Sequence, residues 1–341
     1  VKQAAIALFS ATMVAGPIHA KLKPMSSAPP PAADSGVFDR RLQALRRARA
    51  AKTFASADHL KARASEDLCD RLSMIRRSFP MALDIGSHGG RGGGAFRKAA
   101  IDQGLLGPGR PIGWLAEAEF VEGLLDAGAG PGVVVDGEHL ALKDESLDLV
   151  VSALSLHWTN DLPGVFAQAR RALRPDGLFL ATFFGGRTLQ ELRATLFEAE
   201  LEAHGGAGAR VSPFADAQDA ASLLQRAGFA LPVADSDVVV VRHANVFGLF
   251  RDLKAMGETA AFSDRSGKPL TRGIIARAAD LHQRRHGDAD GRVRTTFELV
   301  TVTGWAPHES QQKPLRPGSA QARLADALGA VERSAGEKAG G

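Results

Sequence analysis

Residues Met81 to Phe96 read MALDIGSHGGRGGGAF, an apolar run that ends beside an acid and opens into glycines. The run MALDI has the length and apolar content of a buried strand, and Gly86 after it lets the backbone turn tightly against a ligand. Amides exposed at the start of the next helix, near Ala95, favour an anionic group. Two phosphate-binding spellings fail. The pattern G-x-G-x-x-G begun at Gly86 needs glycine where His88 and Arg91 stand, and no Gly-Lys-Ser/Thr follows for a P-loop. What survives is Asp84, Gly86 and Gly90 at alternate positions. His88 then sits at a glycine position, which its backbone tolerates with negative φ or in the left-handed region.

Outward from this loop, apolar runs alternate with helical stretches: a helix near Ala95, RPIGWLA, a helix near Phe120, GVVVD and SLDLVVSAL. A helix over 162–173 leads through the turn RPDG to LFLATFF. Strands alternating with helices imply parallel β-α-β units with right-handed crossovers, a doubly wound, Rossmann-like α/β sheet. Such a sheet binds ligands beyond the carboxyl ends of its strands where the strand order reverses, so the first loop is the place for a site. Further on, helices over 189–203 and 217–227 precede the alternating strand DSDVVVVRH. Two more helices, NVFGLFRDLKAMGE and RGIIARAADLHQRR, come before TTFELVTVTGW. They read as an insertion over about 245–290, between the last two strands, placed to form a lid.

This main domain is expected over 81–310. Residues 38–80 form a helical extension in which Leu42, Leu45, Leu60, Leu68, Leu72 and Ile75 face inward. A frayed tail rich in Gly, Ala and charge follows over 311–341. Residues 1–37 divide into a weakly signal-like start, VKQAAIALFSATMVAGPIHA, and a linker, KLKPMSSAPPPAADSG, in which Met25 is expected to be the initiator.

The chain has 341 residues, 45% hydrophobic, enough for a full core. A single cysteine, Cys69, excludes an internal disulfide and a cysteine-only metal cluster. The formal net charge of +4 is too small to signal nucleic-acid binding, and the basic stretch RRLQALRRARAAK, Arg40 to Lys52, interleaves no aromatics. It reads as a solvated helix face or one that docks an acidic partner. No segment of the chain reads as membrane-spanning.

The spacing of Asp84, Gly86 and Gly90 resembles motif I of the class I S-adenosylmethionine-dependent methyltransferases, D-x-G-x-G-x-G, with histidine at the middle glycine. The resemblance implies a mostly parallel seven-stranded sheet and a cofactor loop that includes Ser87 and His88. It also implies an acid after the second strand for the ribose, Glu119 with Glu117 as competitor, and one after the third strand for the adenine, Asp136 beside Gly137. Ser155 would lie at the end of the fourth strand. RPDG after a helix is typical of that fold.

A narrower resemblance is carried by DLVVSALSLHWTNDLP, FFGGRTLQELR, RVSPF, LKAMGE, VTGWAPHESQQKP and FDRRL. In this order they resemble the complex I assembly factor five family, arginine-hydroxylase proteins on a methyltransferase fold. The chain is similar, more distantly, to the enzymes of biotin synthesis that methylate a malonyl carrier-protein thioester. The resemblance implies S-adenosylmethionine as cofactor and a protein client that is a complex I subunit; the single cysteine suits a reducing compartment, so a cytoplasmic location is expected, peripheral to the inner membrane through that client.

His157, directly after the fourth strand, is the candidate base or substrate hydrogen-bond partner, or else a residue packed beside Trp158 to close the crevice. Trp158 reads as a pocket wall. Asn160 and Asp161 read as caps of the helix that begins near Leu162. Ser212 before Pro213 suits a helix start, and the resemblance brings Arg210 or Ser212 to the substrate. His308 reads as a strand exit or a pocket rim. No metal is assigned, because no short iron-binding motif joins His157 and Asp161 to His282, His286 or His308. Two other readings stay open: an O-methyltransferase acting on a carrier thioester or small carboxylate, and a non-catalytic assembly chaperone.

Overall fold

The computed structural model describes residues 36–88, 93–125, 129–264, 268–312 and 329. The expected leader and linker, Gly90 and nearly all of the expected tail lie outside them. Residues through Pro307 form one compact unit, and those from His308 a second, so the unit boundary falls just before the expected domain end.

Seven strands form one sheet: β1 (Phe79–Ile85), β2 (Ile112–Glu119), β3 (Gly132–Val134), β4 (Leu147–Ala153), β5 (Leu173–Phe184), β6 (Ala230–His243) and β7 (Val293–Trp305). Their order is β3-β2-β1-β4-β5-β7-β6, and only the pairings of β7 with β5 and β6 are antiparallel. The doubly wound reading holds, and strand order reverses between β1 and β4. Eight α-helices accompany the strands among the described residues: α1 (Arg40–Ala50), α2 (His59–Ser73), α3 (Ala95–Asp102), α4 (Leu162–Ala172), α5 (Gln190–His204), α6 (Ala217–Arg226), α7 (Val246–Met256) and α8 (Arg272–His286). The last two lie between β6 and β7, as the periodicity implied.

Strand alternation sorts the core into two layers. On one face Ala82, Leu149, Val151, Leu178 and Leu180 pack with Leu60, Leu68 and Leu72 of α2, Phe96 of α3 and Leu192 of α5. On the other, Leu83, Ile85, Val150, Phe179 and Ala181 pack with Phe166 of α4 and Leu224 of α6.

Four expectations are corrected. After β2 the chain makes only a single tight turn over Glu122–Leu124 instead of a helix near Phe120. RPDG belongs to β5: Asp176 takes a left-handed conformation (φ 66°), and its N–H bonds to Ala306 at 3.0 Å, so the turn is absorbed into the sheet. Leu45 is exposed and Leu42 only partly buried, because α1 turns Gln43, Arg47 and Ala50 inward instead, and Ile75, past the end of α2, is only partly buried too. Arg47 is 2% exposed, so the basic stretch is not simply a solvated face.

One buried ion pair locks α3 onto β2. Glu117 Oε1 accepts from Arg97 Nε at 2.6 Å and from the Gly94 N–H at 3.0 Å, and Arg97 Nη2 donates to the Leu115 carbonyl at 2.7 Å. Removing one partner of such a pair strands the other charge out of water. Arg97→Ala is therefore expected to cost about 3–5 kcal/mol in urea denaturation, and a loss below about 1 kcal/mol would contradict this role for the pair.

Candidate active site

The crevice lies beyond β1, β2 and β4. Gly86 sits at φ 69°, where a side chain would overlap the Ser155 hydroxyl, so glycine is required on two counts. His88 follows at φ 48° in the left-handed region, one of the two backbone options its position allowed. That turn aims the His88 N–H at Glu119 Oε2, 2.7 Å away, while Oε1 accepts the Phe120 N–H at 2.8 Å. Glu119 has no exposed surface. Its competitor Glu117 is engaged by Arg97 and by the Gly94 N–H at the other end of the loop, so both acids hold the loop and Glu119 is the one bonded at His88.

Two buried cations share this space, and sequence reading singled out neither. Arg47 Nη2 lies 3.3 Å from Glu119 Oε1 and 2.8 Å from His88 Nδ1; its Nη1 donates to Ser155 Oγ at 3.2 Å, and the guanidinium stacks over Phe120 at 4.9 Å. Lys61 Nζ donates to the carbonyls of Gly86 and Ala153, each at 2.6 Å, and to His88 Nδ1 at 2.9 Å. Burial, then Arg47 and Lys61, hold the His88 ring well below its usual pKa, so it stays neutral. Phe54 stacks on that ring with centroids 5.0 Å apart. The signal for Lys61 was its place on the buried stripe of α2, with Leu60, Ala64 and Leu68.

Beneath the loop, Asp84 is buried and neither carboxylate oxygen has a hydrogen-bond partner; Ser87 Oγ is unpartnered too. Burial pushes the Asp84 carboxyl up to about 7, against the pull of Lys61, and burial brings Lys61 down to about 8.

The segment ahead of α1 is tied over the crevice. Phe38 exchanges hydrogen bonds with the Asn160 side chain, N–H to Oδ1 at 2.8 Å and Nδ2 to O at 3.1 Å. Arg40 pairs with Asp136, and Glu138 accepts the Asn160 N–H at 2.7 Å. Gly137 lies against the Phe120 ring. Asp39 caps α1 through the Leu42 N–H. Asp161 caps α4 as expected, through the Gly164 N–H at 2.9 Å, whereas Asn160 is taken by Phe38.

His157 and Trp158 are buried at the end of β4, packed beside each other with Phe184 and Phe214 against the histidine ring. Both donate to Glu258 Oε2, from His157 Nε2 at 2.9 Å and from Trp158 Nε1 at 2.7 Å. Glu258 closes the stretch LKAMGE, where nothing local marks an acid after a helix-ending glycine. The structure thus joins the catalytic and wall candidates into one cluster.

A cleft of about 1000 Å³ runs beside it, lined by Val37, Leu42, Arg193, Arg210, Phe214 and Phe262 among others. Arg210 reaches this cleft while paired with Glu200. Ser212 does not start a helix: α6 begins at Ala217, capped by Asp216 through the Asp219 N–H, and Ser212 offers its carbonyl to Arg193. His308 lies in the second unit, with Nδ1 2.7 Å from Ser310 Oγ. The rings of His282 and His286 pack tilted against each other along α8, and no group of three His, Cys, Asp or Glu side chains forms a metal set among the described residues.

This fold, with acids at the carboxyl ends of adjacent strands and a glycine turn at the switch point, defines a class I methyltransferase-fold enzyme. The methyltransferase-domain family model matches residues 83–181. The Danio rerio protein "Arginine-hydroxylase NDUFAF5, mitochondrial" is 34% identical over 85% of this chain and 89% of that protein. The Homo sapiens protein of the same name is 38% identical over 77% of this chain and 74% of its own length. The chain belongs to the arginine-hydroxylase NDUFAF5 family. A malonyl-[acyl-carrier protein] O-methyltransferase of Laribacter hongkongensis is similar at 33% identity, over 79% of this chain and 90% of that protein.

The raised Asp84 pKa carries a sign. From its ordinary 3.8 to about 7 the folded state holds a proton that the unfolded chain releases, so this carboxyl lowers stability as pH climbs through that window. Asp84→Asn is expected to remove that fall: urea midpoints of wild type and variant should diverge in the variant's favour between pH 4 and pH 7. Parallel pH profiles would contradict the assignment.

Proposed function

We propose that this chain binds S-adenosylmethionine in the crevice beyond β1 and β2 and modifies an arginine side chain of a protein client, a complex I subunit, by hydroxylation during assembly. The observation that carries the cofactor reading is the pairing of a fully buried, twice-held Glu119 carboxylate with the unpartnered Asp84 carboxylate and Ser87 hydroxyl on the neighbouring strand end. Buried polar atoms without partners are rare, and these support a polar ligand at the strand end.

In this reading Asp84, Gly86, Ser87, His88 and Ser155 border the amino-acid end of the cofactor, Glu119 its ribose, and Asp136 with Gly137 its adenine. Gly90 belongs to the same loop by sequence. When bound, S-adenosylmethionine supplies a sulfonium centre with an activated methyl group. Ribose hydroxyls can reach Glu119 only if Arg47 yields its place there, so α1 must shift or its arginine change rotamer on binding. Lys61 holds the carbonyls of Gly86 and Ala153 and so keeps the ends of β1 and β4 together.

The family name favours hydroxylation. Inserting an oxygen into a C–H bond removes two electrons from the client, so an oxidant from outside the chain is a co-reactant. The similarity to malonyl-carrier-protein methyltransferases supports a second reading, methyl transfer to a carboxylate. No helix among the described residues is long and apolar enough to cross a membrane.

Intact mass of the client after incubation with the enzyme separates the readings. The expected gain is one oxygen on an arginine, lost with Glu119→Ala. A gain of one methylene would establish methyl transfer instead, and an unchanged client mass would reject arginine modification.

A further inference from the structure

Glu258 has a geometry that the cofactor site does not use. It follows Gly257, which ends α7 at φ 81°, and its N–H closes on the Leu253 carbonyl at 2.8 Å. Gly257 also lies against Ala50 and Arg47, so the same turn seats α7 on α1. Both donors that reach the carboxylate, His157 Nε2 and Trp158 Nε1, arrive at Oε2. No donor reaches Oε1 among the described residues, and the side chain keeps 11% of its surface exposed. A carboxylate clamped through one oxygen presents the other in a set direction, with lone pairs to spare.

The surroundings are aromatic. His157 packs on Phe184 (4.7 Å between centroids) and Phe214 (5.8 Å), and Trp158 packs on Phe38 (5.1 Å), which in turn stacks on Phe262 (6.4 Å). Phe214 and Phe262 line the cleft, so its walls continue into the rings that hold Glu258's donors. Aromatic rings packed around the donors of a buried anion suit a planar organic cation: a guanidinium stacks on aromatic faces and directs a fork of N–H donors at a carboxylate.

The chain's own cations near this anion hydrogen-bond elsewhere, although the charges of Arg47 and Lys61 also act on Glu258. Arg47 is engaged by Glu119, His88 and Ser155, and Lys61 by two carbonyls. Along the cleft, Arg210 pairs with Glu200, while Arg46 and Arg193 donate to main-chain carbonyls and Asp264 adds one acid. Those arginines disfavour a cationic visitor unless a carboxylate lies beyond them, which makes Glu258 the discriminating group.

We propose that Glu258, clamped by His157 and Trp158, is the specificity-determining carboxylate that takes the guanidinium of the client arginine. This rests on the arginine reading above and adds the residue that recognises the substrate. His157 and Trp158 then act as positioning residues.

The test uses the full chain and two probes, acetyl-arginine-N-methylamide and its neutral isostere acetyl-citrulline-N-methylamide, with binding followed by NMR and by tryptophan fluorescence. Wild type is expected to bind the arginine probe at least ten-fold more tightly than the citrulline probe. Glu258→Gln should erase the difference while keeping the wild-type melting curve, and Glu258→Asp, which keeps the charge, should retain part of it. Equal binding of both probes by wild type, or a preference that survives in Glu258→Gln, overturns the proposal. If the client still gains an oxygen on arginine under either of those outcomes, the arginine reading stands and only the role of Glu258 falls.

Discussion

A carboxylate without any exposed surface governs the crevice. An ion of that size taken out of water costs several kcal/mol unless its lone pairs are answered, and Glu119 is answered from three sides, by the N–H groups of His88 and Phe120 and by Arg47. The left-handed turn at His88 follows from that demand, since it is the turn that brings the amide round to the carboxylate. Gly86, pressed against Ser155, leaves the loop no room for another course. The histidine ring, which replaces the middle glycine of the motif, is absorbed by stacking on Phe54 and by accepting from two cations at Nδ1.

The same constraint explains why segments distant in the chain converge. α1 carries Arg47 into the crevice and is held there at its start by Phe38 on Asn160 and by Arg40 on Asp136, and near its end by Gly257 packing on Arg47 and Ala50. FDRRL, HWTND and LKAMGE thus meet beside the crevice. Glu258 emerges where α7 meets α1, and it joins the end of α7 to His157 and Trp158 beyond β4. A change of position in α1 on cofactor binding would therefore be felt at the substrate side.

The sheet was legible because its parallel strands are buried on both faces and read as short apolar runs, while Gly86 and the acids mark their carboxyl ends. Asp84, Glu119 and His157 could be placed for the same reason: each is the first chemically distinctive residue at or after a strand end. Lys61 and Arg47 were not singled out because a cation in a helix reads as solvated unless the helix's buried stripe is traced through it. Glu258 was passed over because its importance comes from two donors about a hundred positions earlier in the chain. The helix placed near Phe120 and the cap assigned to Ser212 fell to tertiary context, as Phe120 is tied into the Glu119 turn and Asp216 supplies the cap instead.

The account stands on Glu119 exchanging Arg47 for a nucleoside. A crystal structure grown with S-adenosylhomocysteine measures this directly: the ribose hydroxyls should lie about 2.6–2.8 Å from the Glu119 carboxylate, with the Arg47 guanidinium moved off it. A ligand bound elsewhere, with Arg47 still paired to Glu119, would contradict it.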